Sequence, residues 1–420
     1  MNHRRTRPYL LSALGVAFAL ALPGLAQVAT GQAPGAPPAP AVATVPGMPP
    51  VIDPANLYSE AAAGKVSAAV AGDLARVYVP HLQTNDVYVI DPATLKVVDK
   101  FKVGINPQHV VPSWDMRTLW VANNAEGRKD GSMTPVDPRT GKPGKAVPVD
   151  DPYNVYSTPD GKSVIVVAEA LKRLDFRDPA TLALQGSLAV PRCGGINHAD
   201  FSIDGRFAIF TCEFDGTVAK IDMVERKVLG YIQLIKPGVK TTTVKGIDGR
   251  DETICTTWKG MPQDIRVSPD GKLFYVADMM SNGVHVVDGA TFRQVGFIPT
   301  GVGAHGLYPS RDGRKLYVAN RGSNKIHGPP KGKGSVSVLD FATQKIDVTW
   351  PIPGGGSPDM GNVSADGKML WLSGRYDNVV YAIDTATGSV TNIPVGKEPH
   401  GLTVWPQPGR YSLGHTGNTR

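Results

Sequence analysis

Residues 261–278 read Met-Pro-Gln-Asp-Ile-Arg-Val-Ser-Pro-Asp-Gly-Lys-Leu-Phe-Tyr-Val-Ala-Asp, and residues 283–298 read Gly-Val-His-Val-Val-Asp-Gly-Ala-Thr-Phe-Arg-Gln-Val-Gly-Phe-Ile. Four apolar runs are separated by Ser-Pro-Asp-Gly, Ser-Asn-Gly and Asp-Gly-Ala-Thr. Each run is too short for a helix and is rich in Val, Ile, Phe and Tyr, so the stretch predicts a four-stranded antiparallel meander.

The same pattern recurs along the chain. An aspartate closes a third strand at Asp91, Asp137, Asp178 (or Asp175), Asp222, Asp288, Asp340 and Asp384. First strands start at Pro107, Pro152, Ile196, Pro262, Ala304, Pro358 and Pro399. The first unit, beginning at Arg76, lacks its first strand, and the last first strand has no unit after it. The expected fold is therefore all-β, a seven-bladed β-propeller of four-stranded blades. Residues 399–405 should lie beside residues 76–79, so that the C-terminal strand completes blade one and closes the ring. The Asp-Gly pairs at Asp160, Asp204, Asp270, Asp312 and Asp366 fall between first and second strands, which makes these aspartates turn residues and not catalytic ones.

Leu-Trp-Val-Ala-Asn at 119–123, Phe-Tyr-Val-Ala-Asp at 274–278 and Leu-Tyr-Val-Ala-Asn at 316–320 resemble the signature of YVTN-type β-propeller repeats. The resemblance covers roughly residues 65–410. It implies kinship with the propellers of nitrous-oxide reductase, the d1-haem domain of cytochrome cd1 and quinoprotein amine dehydrogenases. Those relatives use one end of the propeller for copper or haem, but their ligand arrays do not map residue by residue onto this chain, and the fold itself fixes no function.

The 420 residues divide into 1–26 as a signal peptide, 27–57 as an Ala/Pro-rich disordered linker, 58–412 as the propeller and 413–420 as a C-terminal tail. Arg4, Arg5 and Arg7 precede an uncharged apolar run from Leu10 to Leu22, with small residues before Gln27, the pattern of a secretory signal. The Arg4-Arg5 pair admits a twin-arginine signal, though the residues after it match poorly. The protein is thus expected to be exported, periplasmic or extracellular, without a membrane span, and monomeric. Removing the three arginines lowers the formal charge from +7 to +4, which is no nucleic-acid footprint. Cys193, Cys212 and Cys255 allow one disulfide and one free thiol, with the pairing open, and their spacing fits neither zinc nor haem attachment.

Departures from the repeat mark where function is sought. Residues 236–259 form a surplus after blade four, expected as a protruding hairpin. A basic glycine-rich loop starts at Arg321 in blade six, and blade two carries a similar loop at 123–132. Gly301-x-Gly303-x-x-Gly306 matches a dinucleotide fingerprint by letter only, since no helix pattern follows it.

The strongest chemical signal lies at the starts of the inner strands. The second residue of each is Gln108, Tyr153, Asn197, Gln263, His305, Asp359 or His400, and the third is His109, Asn154, His198, Asp264, Gly306, Met360 or Gly401. His109, His198, His305, His400, Asp264 and Asp359 are the candidate metal ligands, because imidazole suits copper, zinc and iron. Two readings compete. Polar side chains line a water-filled channel, or they converge on a transition metal such as copper, or on haem. Strand alternation argues against both neighbouring positions facing the axis. The function expected is a binding or scaffold module for a small-molecule ligand or a protein at the channel mouth or loops. The alternative is a metal- or cofactor-dependent oxidoreductase, or its accessory protein, at that mouth.

Overall fold

The computed structural model describes residues 41–126, 128–246, 249 and 251–420. The expected signal peptide and residues 27–40 of the expected linker lie outside them.

Seven antiparallel sheets are arranged as blades, each inner strand followed outward by the next three in sequence. The inner strands are Pro107–Pro112, Pro152–Ser157, Ile196–Phe201, Pro262–Val267, Ala304–Pro309 and Pro358–Val363 for blades two to seven. Blade one is built from both ends of the chain. Thr403–Trp405 pairs with Arg76–His81, with Arg76 opposite Trp405 and Tyr78 opposite Thr403. In blade two the outermost strand is split into Lys142–Pro143 and Val147–Asp150, both paired with Asp130–Asp137.

The turn between first and second strands owes its regularity to one hydrogen bond. A Ser or Thr hydroxyl donates to the aspartate two residues on, at 2.5–2.7 Å, in blades two to seven. In five of these turns glycine follows, and at Gly271 φ is +74°, a conformation that a Cβ disfavours. These turn aspartates are structural, as their spacing implies.

Alternating strand residues point to opposite faces of a blade, and both faces are covered by neighbouring blades. Seven apolar clusters result, one at each interface between adjacent blades. The closing interface holds Val77, Val79, Trp371, Val380, Leu402 and Val404. Burial of each such aliphatic side chain stabilises the ring by roughly 1.5–3 kcal/mol. Trp120, Trp371 and Trp405 all pack between blades.

The inner strands begin at one end of the channel, called here the mouth, and run to the Asp-Gly turns at the other. That far end is sealed by the chain itself. Residues 45–57, which composition assigns to a flexible tether, are instead packed there, because Val45 and Leu57 find apolar burial. Val45 N–H donates to Asp204 O, and Tyr58 Oη donates to Val267 O at 2.6 Å. Residues 58–71 contain two 3-10 turns, Ser59–Ala61 and Ala68–Val70. Residues 413–420, set apart by sequence as a tail, are buried inside the channel. Ser157 N–H donates to Leu413 O, His415 N–H donates to Val155 O, and the Arg420 guanidinium meets Asp200 at 2.8 Å.

Residues 242–245 and 251–254 pair as the expected hairpin after blade four. Cys193 and Cys212 form a disulfide, and Cys255 is free and buried. Among the described residues no helix is long and apolar enough to cross a membrane. The closing pair yields a first prediction. Deleting residues 399–420 should strip the inner strand from blade one, lower the melting temperature and promote self-association, checked by thermal melts and light scattering. An unchanged melting temperature would contradict this closure.

Candidate functional site

Strict alternation would send the second and third residues of an inner strand to opposite faces. The register breaks where it matters. In blades two to seven the ladder shifts between the first and the third or fourth residue, for example between Pro107 and His109, and between Pro262 and Ile265. Such a bulge sets extra residues against fewer on the partner strand and turns side chains off the pleat. Both rings of residues therefore meet in the channel, which corrects the alternation argument.

Three imidazoles gather first. His109, His198 and His415 are buried, and one ring nitrogen from each lies within 4.8 Å of the others. His198 and His415 stack with centroids 4.7 Å apart, and His109 sits 5.5 Å and 5.7 Å from them. His109 Nδ1 is 3.0 Å from Tyr153 O. A carbonyl only accepts, so Nδ1 carries the proton and Nε2 keeps its lone pair. That Nε2 is buried without a partner, and so is His198 Nε2. His198 Nδ1 meets the Asn154 amide at 3.2 Å. His415 Nε2 lies 3.0 Å from Asp264 Oδ1, which leaves Nδ1 to accept from Thr416. Gly401 makes room for the cluster, since a Cβ there would come within 2.1 Å of His109 Cδ2.

A second network adjoins it. Asp359 Oδ1 is 2.8 Å from His305 Nδ1 and accepts from Arg321 Nη2 at 2.8 Å, while Oδ2 is 2.8 Å from His400 Nδ1. Burial alone would raise the Asp359 carboxyl, but Arg321, His305 and His400 hold it well below the ordinary range. The His109 and His400 rings are 4.9 Å apart, which joins the two networks. Of the six sequence candidates, His109 and His198 fall in the first group. His305, His400 and Asp359 fall in the second, and Asp264 orients His415 and accepts from Arg266 Nη1 at 2.8 Å.

Several groups escaped sequence reading. His415 sits outside the repeat, in Gly-His-Thr-Gly. In four blades the residue directly after the second strand is a charged group at the mouth, namely Glu169, Glu213, Arg321 and Arg375. Their register recurs as regularly as the inner strands, and that was the available signal. Arg321 also donates to Tyr376 Oη at 3.3 Å. Burial pushes the Glu169 carboxyl well up, with Glu213 adding to the effect, and burial raises Glu213 as well. Met360 Sδ lies 3.2 Å from His305 Nδ1. His285 pairs with Asp278 at 3.1 Å in a third strand, consistent with a structural role.

Burial keeps the imidazoles neutral. Desolvation pushes His109 down to about 4, against the pull of the Tyr153 carbonyl and Asp359. Desolvation and then Arg321 push His305 down to about 4. Desolvation places His198, His400 and His415 well below 6.5 as well. Neutral imidazole is the form that binds metals.

The sign of the pH effect follows. Between the ordinary value of 6.5 and about 4, the unfolded chain takes up protons that folded His109 and His305 refuse. Stability is therefore full above the upper bound and is lost as pH falls through the window, by roughly 3 kcal/mol per imidazole. In metal-free protein the urea midpoint should fall between about pH 7.5 and about pH 5. His305→Gln should shrink that fall, and an unchanged pH dependence would contradict the assignment.

Residues 244–408 match the family model described as YNCE-like beta-propeller. No curated protein matches the chain. Among solved structures, the chain resembles Kuenenia stuttgartiensis hydrazine synthase at 19% identity and TM-score 0.53, over 70% of this chain and 88% of that one. It resembles the dihydro-haem d1 dehydrogenase NirN, solved in complex with DHE, at 15% and 0.54, over 78% and 75%. It also resembles a 6-phosphogluconolactonase-like protein from Bacteroides uniformis ATCC 8492 at 17% and 0.56, over 79% and 99%. At such identities the likeness establishes fold alone. The chain is a seven-bladed β-propeller of YVTN-like repeats, with a stretch from its hairpin to its closing strand matching the YNCE-like family.

Proposed function

We propose that this protein is an exported propeller that binds a transition-metal ion in its channel, through His109, His198 and His415, and presents that ion to a small ligand at the mouth. One observation carries the reading: the buried Nε2 atoms of His109 and His198 lack any partner in a cluster whose ring nitrogens lie within 4.8 Å of one another. An orphaned buried polar atom costs about 1–3 kcal/mol, and an ion would relieve two of them. Three neutral imidazoles fit copper or zinc. His109 is presented in the ligating tautomer by the Tyr153 carbonyl, and Asp264 orients His415, which would exchange its Thr416 contacts for the ion. A haem macrocycle does not fit among these rings, whose centroids are 4.7–6.1 Å apart.

A bound ion would supply Lewis acidity, and copper would add one-electron chemistry, which is what separates the binding reading from the oxidoreductase one. The chain's own residues keep the imidazoles neutral, orient two of them and seal the far end of the channel. The Cys193–Cys212 disulfide supports the exported setting.

Elemental analysis of the purified, full-length protein tests this. Stoichiometric copper or zinc is expected, lost in His198→Ala and in His415→Ala. The exposed His327→Ala should retain it. Metal-free parent protein that takes up no added copper or zinc would refute the reading.

A further inference from the structure

The mouth holds two buried arginines that differ in one respect. Arg321, 4% exposed, is neutralised by Asp359 and donates to it twice. Arg375, 6% exposed, has no ion pair and no hydrogen bond from its guanidinium among the described residues, and its Nε is buried without a partner. Its backbone N–H donates to Ser357 O, which fixes it at the start of the blade-seven inner strand. Its charge reaches His109, His305 and His400, lowering the pKa of each. Arg375 therefore lies within electrostatic reach of both histidine networks.

An unpaired buried charge is costly, and an uncompensated guanidinium is retained where an anion comes to it. We propose that Arg375 anchors a small carboxylate or oxyanion, bound at the channel mouth against the histidine cluster. The planar fork of the guanidinium suits such an anion through two parallel hydrogen bonds. Gln108 Oε1 is another buried mouth atom without a partner, and it offers an acceptor to a ligand bearing a hydroxyl or a proton. Glu169 and Glu213 lie within electrostatic reach of Arg375, yet among the described residues no ion pair joins it to either. The inference rests on reading this channel mouth as the site, but not on the ion itself.

Thermal melts and calorimetric titration of the full chain, metal-free and metal-loaded, in an anion-poor buffer test it, with oxalate and sulfate as probes. The parent should be stabilised saturably by at least one probe in both forms. Arg375→Gln should bind it about ten- to a hundredfold more weakly, and should melt no lower than the parent without the probe. Arg375→Lys should fall between the two. If Arg375→Gln melts well below the parent and still responds to both anions, the arginine is structural and the proposal fails. An anion response confined to metal-loaded protein and kept by Arg375→Gln would assign the anion to the ion, also overturning it. No response in any form would do the same. A response in metal-free parent, lost in the variant, upholds the anion site even if the chain never takes up metal.

Discussion

The pairing of Thr403–Trp405 with Arg76–His81 is the constraint on which the rest depends. Each blade buries both of its faces against its neighbours, so an open ring would expose two apolar faces at once. Closing by hydrogen bonds between the two ends of the chain turns seven sheets into one cooperative object. It also sets the radius of the channel and thereby brings residues from different blades within contact. His400, just before the returning strand, meets Asp359 of blade seven and His109 of blade two only because the ring is shut.

The interior shows how a propeller handles polar groups that water would otherwise solvate. At the far end the chain fills the channel with itself. Asp200 is met by Asn418 and Arg420, and Asp264 by His415 and Arg266. At the mouth the pairing is also incomplete. Unpartnered buried atoms remain there on His109, His198, Gln108 and Arg375, as they do on Arg266, Asn418, Thr419 and Arg420 towards the other end. What sets the mouth apart is that two of its unpaired atoms are imidazole nitrogens belonging to one cluster.

Most of the fold was legible because turn chemistry repeats. Ser-Pro-Asp-Gly, the third-strand aspartate and the short apolar runs each reflect a local backbone requirement, and six of the seven inner-strand starts could be read to the residue, the closing strand beginning at Thr403 and not at Pro399. The rings of polar residues were legible for the same reason, since His305, His400 and Asp359 keep the second position of the repeat and His109, His198 and Asp264 the third. Their grouping was not. It depends on bulges that suspend strand alternation, and a bulge here leaves no mark in residue type. His415 was hidden because it lies beyond the last repeat, where periodicity has nothing to say. Arg375 was hidden because Arg-Tyr-Asp-Asn reads as an ordinary turn, and only the depth of the mouth makes that turn an inward one.

The cluster of His109, His198 and His415 spans 306 positions of the chain, and its last member arrives after every blade has been made. During synthesis the blades can form in order, each against the one before, while the cluster waits for the final turn of chain to enter the channel. A nascent or clipped chain can thus hold well-formed sheets and still lack the third imidazole. The centre is in this sense a seal on completion: it exists only in molecules whose beginning and end have found each other.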